Sequence, residues 1–352
     1  MAQLTTLFGF LLALSHLVMS LPHAPPSPKL PIQTIYEFPN ETWVENIAVR
    51  SSGKLLVTII NSPTLYQIDP FLPGPASLIH SFPHAAGTLG IAEIQPDIFA
   101  VITGNWSTTT FSTTNGSYSL WKVDLTGVEC DDFGREILKP GVTKIADIPE
   151  ASFLNGLTLV AQSSPYLLAA DSGLGVVWSI NHYTGEYRVV LDNELLKPAP
   201  GQIAVLGING LHTRDGYLYF TNSFQYVFAR VQISHQGTAT GPYEVVADIG
   251  LGDDFAFDTD GNAYIAQDPG GALEQVTPAG KVTVLAGNTN STILEGDTAA
   301  AFGRTKQDSN TLYVVTNGGI AGHPTGSSIV GGKVLTVDLP DLLRQHQGRR
   351  RY

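Results

Sequence analysis

Four oxygen-bearing side chains stand at the heads of similar short segments: Glu45 in ENIAV, Asn155 in LNGLTL, Asn209 in INGLH and Asp253 in DDFAF. Two carboxylates and two carboxamides brought to one point offer only hard oxygen donors, a set suited to a divalent cation and to Ca2+ above all. A cation held there polarises a bound carbonyl, and Asp253 or the ion then activates water. Arg304, in FGRT, is the second catalytic candidate, because a guanidinium can polarise a substrate carbonyl. It serves equally well as a brace for the segment that carries it. Trp43, Trp106, Phe224, Tyr226 and Phe255 lie near the same heads and are candidates for an apolar substrate-binding wall. Core packing is the competing reading for each of these rings.

Such convergence needs a fold that repeats. Two further segments, LGIAE from Leu89 and DTAAAF from Asp297, complete a series of six at intervals of about 45 residues, the period of propeller blades. Period-2 alternation broken by DG and GN turns marks each unit as strand hairpins. The expectation is an all-β, six-bladed β-propeller over residues 35–340, whose innermost strands line a central channel. Polar second-strand ends, Asn61, Asn105, Asp171, Asn222, Asp268 and Asn317, are expected to ring the same mouth as the four heads. IQTIYEF, ahead of the first blade, is expected to close the ring as an outer strand beside GKVLTVD. The longer interval between the second and third heads predicts a surface excursion between FSTTNGSYS and REILKP.

The flanks read differently. Residues 1–20 hold the apolar run LTTLFGFLLALSHLVMS and read as a signal peptide, followed by a Pro-rich linker at 21–34 and, after the propeller, a basic tail at 341–352. No later run of eighteen apolar residues offers a membrane span. The chain is thus expected to be secreted or lumenal, with glycosylation acceptors at Asn40, Asn105, Asn115 and Asn290. With a single cysteine, Cys130, no internal disulfide can form, and stability has to come from a large core and a closed ring. The formal charge of −12 argues against nucleic acid or an anionic membrane as partner and leaves small apolar molecules.

Several motifs carry no chemistry. Asp258-Thr-Asp260-Gly-Asn262 opens like an EF-hand loop, but Pro269 stands where the twelfth-position Glu is required, so a hairpin turn explains it. No nucleophile elbow, HExxH or phosphate loop occurs in a usable context. His212 reads as a core histidine more readily than as a base, and so does His84, which precedes the second head and could reach the mouth.

ENIAV, LNGLTL, INGL and DDFAFDTDGNAYIA resemble the blade heads of the six-bladed propeller family of senescence marker protein, gluconolactonase and luciferin-regenerating enzyme. That resemblance implies a divalent metal, calcium or zinc, on Glu45, Asn155, Asn209 and Asp253, although VEN and GDD replace the family's usual EGP and PDG. LNGLT, LYFTNS, DDFA, FGRT and LYVVTNGG, together with the leader, are similar to a secreted fungal subgroup of secondary metabolism. Some members of that subgroup are hetero-Diels–Alderases that join a tropolone-derived quinone methide to a humulene-type terpene. The resemblance implies a pericyclase without an organic cofactor. A metal-dependent lactonase and a non-catalytic binding propeller are the alternatives, and the aromatic mouth favours the apolar guest.

Overall fold

A computed structural model describes residues 30–130, 136–201 and 206–339. The signal peptide, linker residues 21–29 and the basic tail expected from the sequence lie outside the described residues, as does the side chain of Cys130. Six four-stranded antiparallel sheets form six blades. Their innermost strands are Val44–Val49, Gly87–Gln95, Leu154–Leu159, Ile208–Arg214, Gly252–Phe257 and Asp297–Phe302. Each inner strand neighbours the next around the ring, and Val44–Val49 lies between Asp297–Phe302 and Gly87–Gln95, which completes the circle. The 3-10 turn Glu194–Leu196 is the one helical element among the described residues. No helix there is long and apolar enough to cross a membrane.

Closure follows the sequence expectation. Ile32–Glu37 pairs antiparallel with Lys333–Asp338 and becomes the outer strand of the sixth blade. That strand starts three residues ahead of the expected propeller boundary at 35. Six apolar clusters hold the ring, one between each pair of adjacent blades. They consist of the alternate side chains of strands that are buried on both faces, which is why these strands read as nearly continuous apolar runs. The surplus chain of the second blade forms two small ribbons. Trp106–Ser107 pairs with Ser112–Thr113, and Val128–Cys130 pairs with Glu136–Leu138.

Every inner strand breaks register at its head. The irregularities fall at Glu45, Leu89–Gly90, Asn155–Gly156, Asn209–Gly210, Asp253–Asp254 and Thr298. A β-bulge leaves one residue unpaired and re-aims its side chain, and at four of the six heads the re-aimed side chain, Glu45, Asn155, Asn209 or Asp253, lines the axial cavity. Glycine follows Asn155 and Asn209 because the inner strands crowd there. A Cβ on Gly156 would lie 2.6 Å from the Asn209 carbonyl oxygen, and one on Gly210 would lie 2.5 Å from Asp254 Oδ1. The Thr221 hydroxyl pins one bulge by accepting the Gly210 N–H at 3.0 Å and donating to the Asp253 carbonyl at 2.6 Å.

Candidate functional site

The bulged heads meet at one mouth of the channel. Glu45, Asn155, Asn209 and Asp253 line a single cavity of about 340 Å³ together with Asp268 and Ser223. All four heads are only 5–7% exposed, so the cavity reaches them through a narrow floor. Its walls are apolar: Trp43, Ile60, Trp106, Phe111, Phe153, Leu206, Phe224, Leu251, Pro269 and Ala321. Trp106 stacks on Phe153 with centroids 4.4 Å apart and planes 7° from parallel. This stack presents a flat face, and the ribbon Trp106–Thr113 carries Phe111 to the rim.

The floor is short of hydrogen-bond partners. Asn209 donates from Nδ2 to the Ser223 hydroxyl at 3.0 Å, and that hydroxyl donates onward to the Gly252 carbonyl at 2.8 Å. The chain of donors fixes the amide orientation and leaves Asn209 Oδ1 buried with no partner. Glu45 Oε2 is likewise a buried acceptor without a donor. In the wall, the indole N–H groups of Trp43 and Trp106 are buried donors without acceptors. A buried polar group left unsatisfied costs about 1–3 kcal/mol, so four of them around one cavity describe a site built for a guest.

Electrostatics sharpen this picture. Burial, reinforced by Asp268 and Asp254, pushes the Glu45 carboxyl up to about 8, and the nearby Trp43 indole offsets only part of that rise. Asp253 is raised well above the usual carboxylate range by burial first and then by Glu45, Asp268, Asp254 and Asp297. Asp268, at the rim, is pushed up to about 7 by desolvation, against a 2.6 Å hydrogen bond from Asn317 Nδ2. Acids this crowded favour either a proton or a cation. The oxygen-only donor set and the two orphaned acceptors suit a hard cation. Among the described residues no three His, Cys, Asp or Glu side chains are grouped to hold a metal by themselves. Any ion here would therefore depend on the two carboxamides as well as on Glu45 and Asp253.

One tier below, the channel is plugged. Asn46 and Asp254 occupy the places that glycine fills in the third and fourth blades, and Asn46 Nδ2 donates to Asp254 Oδ2 across the channel at 2.7 Å. His212 lies 3.0 Å from Asp254 Oδ1 through Nε2.

Three residues expected at this mouth lie elsewhere. Phe255 is completely buried between the fourth and fifth blades, edge-on to Phe228 at 5.0 Å, because the bulge at Asp253–Asp254 shifts the phase of the strand and turns away from the axis a residue that plain alternation would leave on the side of Asp253. Tyr226 is exposed on a turn and lines no part of the cavity. Arg304 sits at the far end of an inner strand, where Nη1 donates to the Val49 carbonyl at 2.8 Å and pairs with Glu93, so it cannot share a substrate with Asp253. His84 is exposed and also lines no part of the cavity. Of the second-strand ends, Asp268 faces the cavity, whereas Asn61, Asp171 and Asn222 are spent on backbone groups of neighbouring loops. Phe111, Phe153 and Leu206 come from loops whose paths no periodicity announces. The expected hairpin turn at Asp258–Asn262 is present, with Asp258 Oδ1 accepting the Asp260 and Asn262 N–H groups.

No model of a known protein family matches the chain. It is 28% identical to a protein of Phoma sp. named "Putative hetero-Diels-Alderase" over 312 residues, 82% of this chain and 87% of that one. A second relative, "Putative hetero-Diels-Alderase asR5" of Sarocladium schorii, is 27% identical over 327 residues, 83% of this chain and 79% of that one. Among solved structures, luciferin-regenerating enzyme superposes with a TM-score of 0.61 at 14% identity, covering 88% of this chain and 95% of that one. The calcium-binding protein regucalcin of Agrobacterium tumefaciens superposes with a TM-score of 0.58 at 15% identity, covering 88% and 94%. The chain is thus similar in sequence to proteins named as hetero-Diels–Alderases and shares the six-bladed fold of regucalcin and luciferin-regenerating enzyme.

Proposed function

We propose that the protein is a pericyclase that couples an oxygen-terminated heterodiene to an alkene in the aromatic mouth. The observation that carries this reading is the pairing of a flat apolar wall with the unpartnered Trp106 indole N–H in one cavity. The names of the two relatives support it. A hetero-Diels–Alder reaction forms one C–O and one C–C bond in a single step and moves no proton. The protein therefore needs to position, polarise and exclude water. Holding two reactants in reactive geometry can supply about 7–11 kcal/mol of the barrier. The Trp106–Phe153 face and Phe224 stack a planar heterodiene, while Ile60, Leu206 and Leu251 take an apolar polyene. The indole N–H of Trp106 donates to the heterodiene oxygen, lowering the energy of the electron-poor partner where charge develops. On this reading the heterodiene is a quinone methide of tropolone type and the alkene a humulene-type terpene.

Glu45, Asn155, Asn209 and Asp253 are the residues that would hold a divalent cation, Ca2+ first, and such an ion supplies Lewis-acid polarisation of a substrate oxygen. Secretion is part of the same proposal. Asn40, Asn115 and Asn290 are exposed as glycan acceptors need to be, whereas Asn105 is half-buried and accepts the Ala86 N–H at 2.8 Å.

The test is incubation of the protein with a quinone methide precursor and humulene, and separately with simple lactones, each with and without chelator. Faster adduct formation with one stereoisomer enriched over the background is expected. Chelator-sensitive lactone opening, with adduct yield and stereochemistry at background, would overturn the reading in favour of a metal-dependent lactonase.

A further inference from the structure

The channel has a second mouth with chemistry of its own. A cavity of about 460 Å³ opens at the opposite end, lined by the far halves of the first four inner strands. Ile47, Ile91 and Leu157 give it an apolar bed, and His212, Glu93 and Arg304 stand in its wall.

His212 is held there in one defined state. Asp254 Oδ1 accepts the Phe255 N–H at 2.8 Å and faces His212 Nε2 at 3.0 Å, while Oδ2 accepts from Asn46 at 2.7 Å. Every neighbour of this carboxylate is a donor, so Nε2 donates to it and the ring presents its Nδ1 edge away from Asp254. Phe255 fixes the ring from the other side, edge-on with centroids 4.9 Å apart. Nδ1 has no partner among the described residues and is not sealed in the interior. Arg304 is similarly half-engaged. Its Nη1 serves the Val49 carbonyl and Glu93, which leaves Nε and Nη2 for a guest. Glu93 is held in place by the Asp97 N–H at 2.9 Å on its other oxygen. A partly exposed imidazole and a partly exposed guanidinium beside an apolar bed form a recognition pair, because a guest that replaces their water keeps the hydrogen bonds and gains the apolar contact.

We propose that this opposite mouth is a second small-molecule site, separate from the aromatic cavity, that takes a flat apolar phenol or enol bearing an adjacent carbonyl or carboxylate. The acidic O–H donates to His212 Nδ1, and the neighbouring oxygen accepts from Arg304.

The experiment titrates the full chain, labelled with 15N in histidine, with 1-hydroxy-2-naphthoate and follows the imidazole nitrogens by long-range proton–nitrogen correlation. A saturable shift of one imidazole is expected, with that signal absent in His212→Gln. Affinity should fall by about tenfold or more in His212→Gln and in Arg304→Gln, as the loss of one charge-assisted hydrogen bond implies. Ala92→Phe, which puts a ring into the cavity, should abolish binding, and urea unfolding of the polar variants guards against a fold defect in them. Trp106→Phe should leave the affinity unchanged. Unaltered affinity in both polar variants, loss of binding in Trp106→Phe alone, or absence of any saturable shift overturns the proposal.

Discussion

The two mouths of one channel are built from the same six inner strands, yet they are chemically opposed. At the strand heads, bulges turn acids and amides inward, and the wall around them is aromatic with unpartnered indole donors. At the strand ends the bed is aliphatic, and the polar groups are an imidazole, a guanidinium and the Glu93 carboxylate. Asp254 stands between them, one residue from Asp253 in one direction and hydrogen-bonded to His212 in the other. A repeat therefore fixes where side chains point, while the identity at each point is free to differ from blade to blade.

The largest effect expected from separating the mouths is on rate. Trp106→Phe keeps the stack on Phe153 but removes the N–H, and cycloaddition should slow by about 10²–10³, the usual consequence of deleting one donor to developing charge. Ala92→Phe at the opposite mouth should leave adduct rate and stereochemistry as they were. Equal losses in both variants, measured by chiral chromatography, would merge the mouths into one functional unit. Next in size is Asp254→Ala, which strands Asn46, His212 and the Phe255 N–H together. Urea unfolding should report about 2–4 kcal/mol lost, since buried unsatisfied donors cost about 1–3 kcal/mol each.

A smaller effect separates the mouths by pH. Glu45 near 8 and Asp268 near 7 keep protons in the fold that the unfolded chain releases near 4.5 and 3.8. The folded state then binds more protons than the unfolded one between those limits. Stability falls as pH rises from about 5 to 8, by up to about 1.4 kcal/mol per pH unit for each group, and levels off above the folded values. Thermal melts in chelator should show this decline, and Ca2+ should flatten it if the four heads hold the ion. A melt that instead rises through this range would remove the buried acids from the comparison. Glu45→Gln should raise the melting temperature at pH 8 in chelator by the equivalent of about 1 kcal/mol, by removing one crowded acid. It should also weaken the response to Ca2+. The smallest effect is on mass alone. Peptide mapping after secretion should find glycans among Asn40, Asn115 and Asn290 and none on Asn105, whose amide oxygen is engaged by Ala86.

The architecture was legible because repetition is a property of sequence. ENIAV, LNGLTL, INGLH and DDFAF mark four inner strands, and IQTIYEF pairs with the last blade as its isolation in the sequence implied. The convergence of Glu45, Asn155, Asn209 and Asp253 was legible for the same reason. The bulges were not, since a register shift depends on the partner strand. Phe255 shows the consequence: next to the site in sequence, it is turned into the core by the bulge at Asp253–Asp254. Arg304 belongs to the opposite mouth because it follows the end of a strand whose head the sequence alone associated with the site. The loop residues Phe111, Phe153 and Ala321 reach the cavity through connections whose course no pattern encodes.

The outer strand of the sixth blade has a consequence for how the protein is made. Ile32 meets Val337 across the final sheet, and Thr298 bonds the Val44 carbonyl at 2.7 Å. Translation at about 5–20 residues per second separates the emergence of Ile32 from that of Val337 by roughly 15–60 s. For that interval the first blade stands on the ribosome with the sixth-blade flank of Val44–Val49 uncovered and Ile32–Glu37 unmatched. Contacts of such long sequence separation are slow to form, and bare strand edges invite pairing with other chains. The nascent protein is therefore most vulnerable before its last blade appears, and its first blade is the natural client of a chaperone.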